Sequence, residues 1–253
     1  MFKINNLENN PNITLSEQLG PFAVFEYKED RSVDPAMAAN EYFAARMNIR
    51  KKQLFCSVTP AEGIVLQAGG MQWTAGNVSA TTGVKGVGDF FGKMIGGSVT
   101  GEAGIKPEYH GEGVVMSEPT YKYILLVDVS KWGSGIVLED GMFLACTAHL
   151  KRAVVSRKTL SSAVAGGEGL FNLCLRGQGI AALESPYPST ELIEIDLHND
   201  VLKIDGSMAV AWSADLDFTV ERAGKTLIGS AASGEGLVNV YRGTGRVLMA
   251  PVA

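Results

Sequence analysis

Three basic residues stand one position before a glycine, and they are evenly spaced. His110, Arg176 and Arg242 precede Gly111, Gly177 and Gly243 at intervals of 66 residues. Upstream of each lies a Gly-Glu pair that carries Glu102, Glu168 or Glu235. Cations and carboxylates in this pattern offer two kinds of chemistry. They can pair within or between copies of a structural unit. Exposed ion pairs contribute only about 0–1 kcal/mol each, so such pairing would set register and choice of neighbour rather than stability. Alternatively, the three cations could gather at one rim and bind an anion. Recurrence favours bracing, because a hairpin device is needed in every copy whereas a binding or catalytic group is needed once.

The remaining reactive side chains support no catalytic constellation. Asp128 and Asp196 occupy corresponding runs and could in principle share acid–base work, but they too recur as structural parts do. His110, His149 and His198 fall in three separate segments, and none forms a His-x-His pair, so no metal is expected. There is no Gly-x-Ser-x-Gly elbow. Cys56, Cys146 and Cys174 each lie among apolar neighbours and are expected as buried, reduced thiols. Gly86–Gly92 is glycine-rich, but its spacing suits neither a dinucleotide fingerprint nor a phosphate loop with its lysine–serine pair. These readings assign no catalytic residue and no cofactor, and they predict a protein that is not an enzyme.

Charge narrows the partners. The net charge is −5, which disfavours nucleic acid or an anionic membrane as the dominant surface. Two basic clusters stand out: Arg46, Arg50, Lys51 and Lys52, then Lys151, Arg152, Arg157 and Lys158. Neither is interleaved with aromatic residues that could stack on bases. Trp73 and Trp212 occupy corresponding strands and are expected in a core or an interface. Trp132, in the turn Ser130–Gly133, is expected to be exposed and to offer a contact surface.

The elements that would position these residues are short apolar runs separated by glycine turns. The chain has 253 residues, 46% hydrophobic and 19% charged, with 30 glycines, which fits an all-β protein. Residues 1–50 form a preface. They contain a strand at 22–27 and a helix at 35–47 begun by Asp34-Pro35, with Ala36, Ala39, Phe43 and Met47 on one face. From residue 51 a five-strand unit repeats three times, at 51–120, 121–190 and 191–253. One hairpin of each unit turns at Gly69, Gly141 or Gly206, the other at Gly111, Gly177 or Gly243. Connectors near 90–95, 158–163 and 225–230 are expected to be short helical turns. One unit buries only part of its apolar face, so the units are expected to stack about a pseudo-threefold axis. No run reaches the roughly 18 apolar residues of a membrane span, and the N-terminus has no apolar signal core, which points to the cytoplasm.

Several of these motifs together resemble a known family. They are the Gly234-Glu235-Gly236-Leu237 opening, the Gly-x-Gly turn, the terminal Gly245-Arg246-Val247-Leu248-Met249-Ala250-Pro251, and Ala44-Ala45-Arg46-Met47-Asn48-Ile49-Arg50-Lys51-Lys52-Gln53-Leu54. The chain resembles the bacterial branch of the altered-inheritance-of-mitochondria (mitochondrial biogenesis) proteins, whose fold is related to the trp RNA-binding attenuation protein. The resemblance implies three TRAP-like β-sandwich repeats in tandem and a homotrimer forming a pseudo-ninefold ring. It implies a non-enzymatic scaffold or interaction protein with an unknown protein partner. The alternative is a small-molecule or nucleic-acid binder that uses clefts between repeats.

Overall fold

The triplets Ile64-Val65-Leu66 and Ile136-Val137-Leu138 have no polar member, as expected of strands covered on both faces. The computed structural model, which describes residues 2–82, 106–156, 158–159, 171–222 and 237–251, bears this out: all six side chains are buried. The described strands are β1 (Ile13–Leu19), β2 (Phe22–Tyr27), β3 (Lys52–Val58), β4 (Ile64–Leu66), β5 (Met71–Thr81), β6 (Glu108–Ser117), β7 (Tyr123–Asp128), β8 (Ile136–Leu138), β9 (Phe143–Thr147), β10 (Lys151–Ser156), β11 (Lys158–Thr159), β12 (Phe171–Arg176), β13 (Ile180–Ser185), β14 (Ile193–Asp205), β15 (Ala209–Ser213), β16 (Asp217–Arg222) and β17 (Leu237–Met249). One short helix, α1 (Ala38–Arg46), accompanies them. The protein is predominantly β-strand, in two sheets.

The first sheet runs β1-β2-β3-β6-β4-β9-β13-β7, with β5 also on β6. Its two ends, β1 and β7, approach each other. The second sheet runs β10-β12-β8-β15-β17-β16-β11, with β14 also on β17. Within this arrangement one pairing recurs three times. Met71 pairs with Ser117 and Trp73 with Met116; Phe143 pairs with Leu183 and Ala145 with Ala182; Ala209 pairs with Met249 and Ala211 with Leu248. Each time the first strand carries one extra residue, a bulge that bends it and re-aims the next side chains.

Strands β4 and β8 join successive parts of the chain. Strand β4 pairs with β6 on one side and β9 on the other, and β8 with β12 and β15. Because strand side chains alternate between faces, each strand serves two cores. Ile64 and Leu66 enter a cluster with Phe22, Leu54 and Val115, while Val65 enters the next, with Leu138, Cys146 and Leu175. Ile136 and Leu138 belong to that second cluster, and Val137 to a third with Cys174, Trp212 and Tyr241.

Several expectations change. The helix at 35–47 begins with a 3₁₀ turn at Pro35–Met37, where Asp34 caps the Ala36 N–H at 2.8 Å, and only then becomes α-helical. Its face of Ala36, Ala39, Phe43 and Met47 points to solvent, with Phe43 63% and Met47 72% exposed. Periodicity identified the face but not what it meets. Trp132 is buried, packed with Val129, Leu173 and Leu175, because the 3₁₀ turn Val129–Lys131 folds it back onto the core. Lys158–Thr159, expected in a helical turn, forms β11, parallel to β16. The connectors near 90–95 and 225–230, and Gly86–Gly92, lie outside the described residues. Trp73 and Trp212 are one residue out of step, since Trp73 matches Ala211 in the recurring pairing. A one-residue offset reverses the face: Trp212 lies in the third core, while Trp73 packs beside Phe25 and Met116.

Candidate assembly site

The hairpins expected at the recurring glycines do not form: the strands flanking Gly69, Gly141 and Gly206 pair with other strands, Gly111 lies within β6, Gly243 within β17, and Gly177 between β12 and β13, which do not pair with each other. Gly111, Gly177 and Gly243 nevertheless adopt one conformation, with φ of +119°, +113° and +120°, a region that side chains strongly disfavour. The basic residue before each therefore sits at the same place in its strand pair, opposite Ser79, Lys151 and Asp217 respectively. Their contacts differ. His110 Nε2 lies 2.8 Å from Glu108, and Glu108 also receives Arg152 Nη2 at 3.1 Å. Arg176 donates to the Ser134 carbonyl at 3.4 Å. Arg242 makes a fork on Glu221 at 2.6 and 2.8 Å and also reaches Thr219. That fork holds the Glu221 carboxyl down at about 2 and raises the Arg242 guanidinium further. Glu102, Glu168 and Glu235 lie outside the described residues. Glu108 and Glu221 were missed as partners because they stand within strands whose pairing the sequence does not display.

The other candidates are also engaged. Asp128 caps Ser130, which lowers its carboxyl, and Asp196 is lowered by a hydrogen bond from Arg246. Burial pushes up all three thiols, Cys146 to about 11, so none is a ready thiolate. The basic cluster at 46–52 is largely neutralised from within. Arg50 and the buried Lys52 reach Glu26, and Lys51 bonds Asp30. The Lys52 ammonium also lies 4.3 Å from the Tyr123 ring centroid. Of the second cluster, Arg152 is held by Glu108, Arg157 lies outside the described residues, and Lys158 is described only through its backbone pairing. Among the described residues, no group of three or more His, Cys, Asp or Glu is placed to hold a metal ion. No helix among them is long and apolar enough to cross a membrane.

Two open clefts flank the N-terminal extension. One, of about 550 Å³, separates α1 from the 28–33 loop and is lined by Lys28, Asp30, Arg31, Glu41 and Arg46 among others. A second, of about 420 Å³, includes Tyr27, Gln53 and Gln72. Charges of both signs face the first, without a dominant one to select a ligand.

The distinctive surface is a pair of strand edges. Leu144–Thr147 of β9 and Val210–Ser213 of β15 are buried, the first between β4 and β13, the second between β8 and β17. The matching residues of β5 have β6 as their partner among the described residues, and Met71, Gln72 and Thr74 are exposed. At the other end of the chain, residues 201–205 of β14 match β4 and β8. They pair with β17 alone among the described residues, and Val201 and Lys203 are exposed. An unpaired edge of this kind is a template for another strand.

These features define an all-β protein built around a recurring strand pairing, with ionic side chains bridging its strands. A family model for mitochondrial biogenesis AIM24 matches residues 45–252, and the chain belongs to that family. It is 28% identical over 192 residues to an uncharacterized protein of Streptococcus pyogenes serotype M6, spanning 73% of this chain and 75% of that one. A crystal structure of another Streptococcus pyogenes protein is similar with a TM-score of 0.59 at 24% identity, covering 81% of this chain and 89% of that one. This likeness bears on the fold.

Proposed function

We propose that the protein is a non-enzymatic scaffold that works as a homo-oligomer, built from three TRAP-like β units at 51–120, 121–190 and 191–253, with 1–50 as an extension. The observation that carries this reading is the contrast between edges. Among the described residues, the same strand edge is covered twice inside the chain and left open once, and its natural complement is open at the other end. A chain with two unlike, complementary edges adds to itself head to tail, closing into a ring or running on as a filament. A ring of three chains would present nine units, the arrangement that the family resemblance implies. The cations His110, Arg176 and Arg242 then act as braces beside the positive-φ glycine of each unit. The outward apolar face of α1, with Phe43 and Met47, supplies a surface for a protein partner.

The test is the mass of the native particle. Light scattering and native mass spectrometry of the full chain are expected to give three chain masses without added ligand. A monomer across micromolar concentrations would overturn the scaffold reading. Cytoplasmic location is proposed with it, and fractionation of cells checks that separately.

A further inference from the structure

We infer that the partner on the open edge of β14 is a second copy of this chain, which adds its β5 as the next strand in one defined register. This rests on the oligomeric reading above and specifies the surface that it would use. Two junctions inside the chain supply the pattern. In the first, Ile64, Val65 and Leu66 pair with Thr147, Cys146 and Ala145. Flanking bonds run from Ala148 N–H to Gly63 O at 2.9 Å and from Gln67 N–H to Leu144 O at 2.7 Å. In the second, Ile136, Val137 and Leu138 pair with Ser213, Trp212 and Ala211. Its flanking bonds run from Ala214 N–H to Gly135 O at 2.9 Å and from Glu139 N–H to Val210 O at 3.1 Å. The two junctions coincide in register and in flanking bonds.

The third junction follows by carrying these positions over. Tyr109, Leu175 and Tyr241 face Ile64, Ile136 and Leu202, so Leu202 takes the place of Ile64 and Ile136. Ala75 in turn takes the place of Thr147 and Ser213. Leu202 therefore meets the partner's Ala75, Lys203 the partner's Thr74 and Ile204 the partner's Trp73. The flanking bonds then run from the partner's Gly76 N–H to Val201 O and from Asp205 N–H to the carbonyl of the partner's Gln72.

The rim of the junction agrees with this register. In the first junction Glu62 lies 3.5 Å from His149. In the second, Asp215 accepts from the Ser134 N–H at 2.8 Å. The corresponding third pair is Asp200 with the partner's Asn77, a carboxylate facing an amide donor. One position departs from the pattern. Val65 and Val137 are buried, while their counterpart Lys203 is exposed. A lysine can lay its stem along an apolar surface and keep its ammonium in water, which suits an edge that must remain soluble before assembly. The junction between copies is thereby more polar than the two within the chain.

Cysteine pairs in the full chain test the register. The flanking bonds alternate so that 136 with 213 and 138 with 211 are narrow, non-hydrogen-bonded pairs, and Leu202 with the partner's Ala75 inherits that geometry. Facing Cα atoms of such pairs lie about 4.5 Å apart, within disulfide range. The variant carrying both Leu202→Cys and Ala75→Cys is expected to form disulfide-linked multimers on mild oxidation, read on a non-reducing denaturing gel. The pair Leu202→Cys with Thr74→Cys is one residue out of register, and it should link at least about tenfold less. Thr74→Pro removes an N–H that faces the junction and is expected to yield a folded monomer with an unchanged circular dichroism spectrum. A native oligomer in which the first pair fails to link, or in which Thr74→Pro leaves the mass unchanged, overturns this register while leaving the scaffold reading intact. A monomeric wild-type chain overturns both.

Discussion

The first hairpin unit and its two later counterparts share one pairing register, yet they sit in different surroundings. In the first unit, β5 and β6 run unbroken past the recurring glycine, so that Gly111 faces Val78 and Gly113 faces Gly76. In the second, the chain breaks between β9 and β10 and again between β12 and β13. The later copies are covered along their leading edge by β4 and β8, while among the described residues the first is open. The difference shows that register belongs to the strand pair itself, whereas burial belongs to whatever stands next to it.

The largest expected effect is at a matched pair of positions. Cys146 is fully buried between strands, and Thr74, its counterpart in β5, is exposed. Cys146→Arg buries a charge without a partner and should lower Tm by more than about 10 °C or prevent soluble expression. Thr74→Arg should shift the Tm of the single chain by less than about 2 °C while reducing the native mass. Thermal melts by circular dichroism compare them. Equal losses would erase the distinction between covered and open copies.

The recurring glycines sharpen the comparison. A Cβ on Gly111 would stand 2.0 Å from the Asn77 carbonyl oxygen. At Gly177 and Gly243 the nearest atoms would be 3.6 and 3.7 Å away. All three substitutions carry backbone strain of about 1–3 kcal/mol, but only Gly111→Ala adds a collision with backbone. Gly111→Ala should therefore lose clearly more denaturation free energy than Gly177→Ala or Gly243→Ala, and similar losses in urea titrations would show that the first hairpin relaxes.

Smaller effects are expected at the outward face of α1 and at the third unit. Phe43→Ser and Met47→Ser remove exposed side chains and should each change Tm by no more than about 2 °C. A larger drop would mean that this face is covered in the assembled protein. Glu221→Gln tests the fork on Arg242. The native carboxyl is held at about 2, below the ordinary value of about 4.3. Its contribution is present above the ordinary range and lost as pH falls through about 2. Wild type and Glu221→Gln should differ slightly in Tm at pH 7 and converge near pH 2. Divergence on acidification would contradict this sign. Because the pair is partly open to solvent, the difference stays small.

The positions of the recurring glycines were legible in the sequence because their requirements are local, but the hairpins read from them were not formed, because the strands beside them pair with partners far away in the chain. Gly111, Gly177 and Gly243 are needed for a backbone conformation that other residues resist, and strand β2 at Phe22–Tyr27 follows directly from Gly20-Pro21. Strands β1, β10 and β16 were not foreseen. Their residues are mixed polar and apolar, and they exist because a neighbouring strand supplies hydrogen bonds. The ionic partners were misread for the same reason. Glu108 meets Arg152 across 44 residues and Arg242 meets Glu221 across 21, and no spacing rule connects such positions.

By itself the sequence determined the all-β character, the threefold recurrence of positive-φ glycines and the absence of a recognisable catalytic motif, since each depends on local conformation or on residue type. Only the tertiary structure decided which edges are covered. Ile64-Val65-Leu66, Ile136-Val137-Leu138 and Leu202-Lys203-Ile204 are alike in strand propensity. The first two lie between two cores, and the third has a core on one side and solvent on the other. Burial is a property of neighbours distant in the chain, and the lysine at 203 gains its meaning only once that open side is seen.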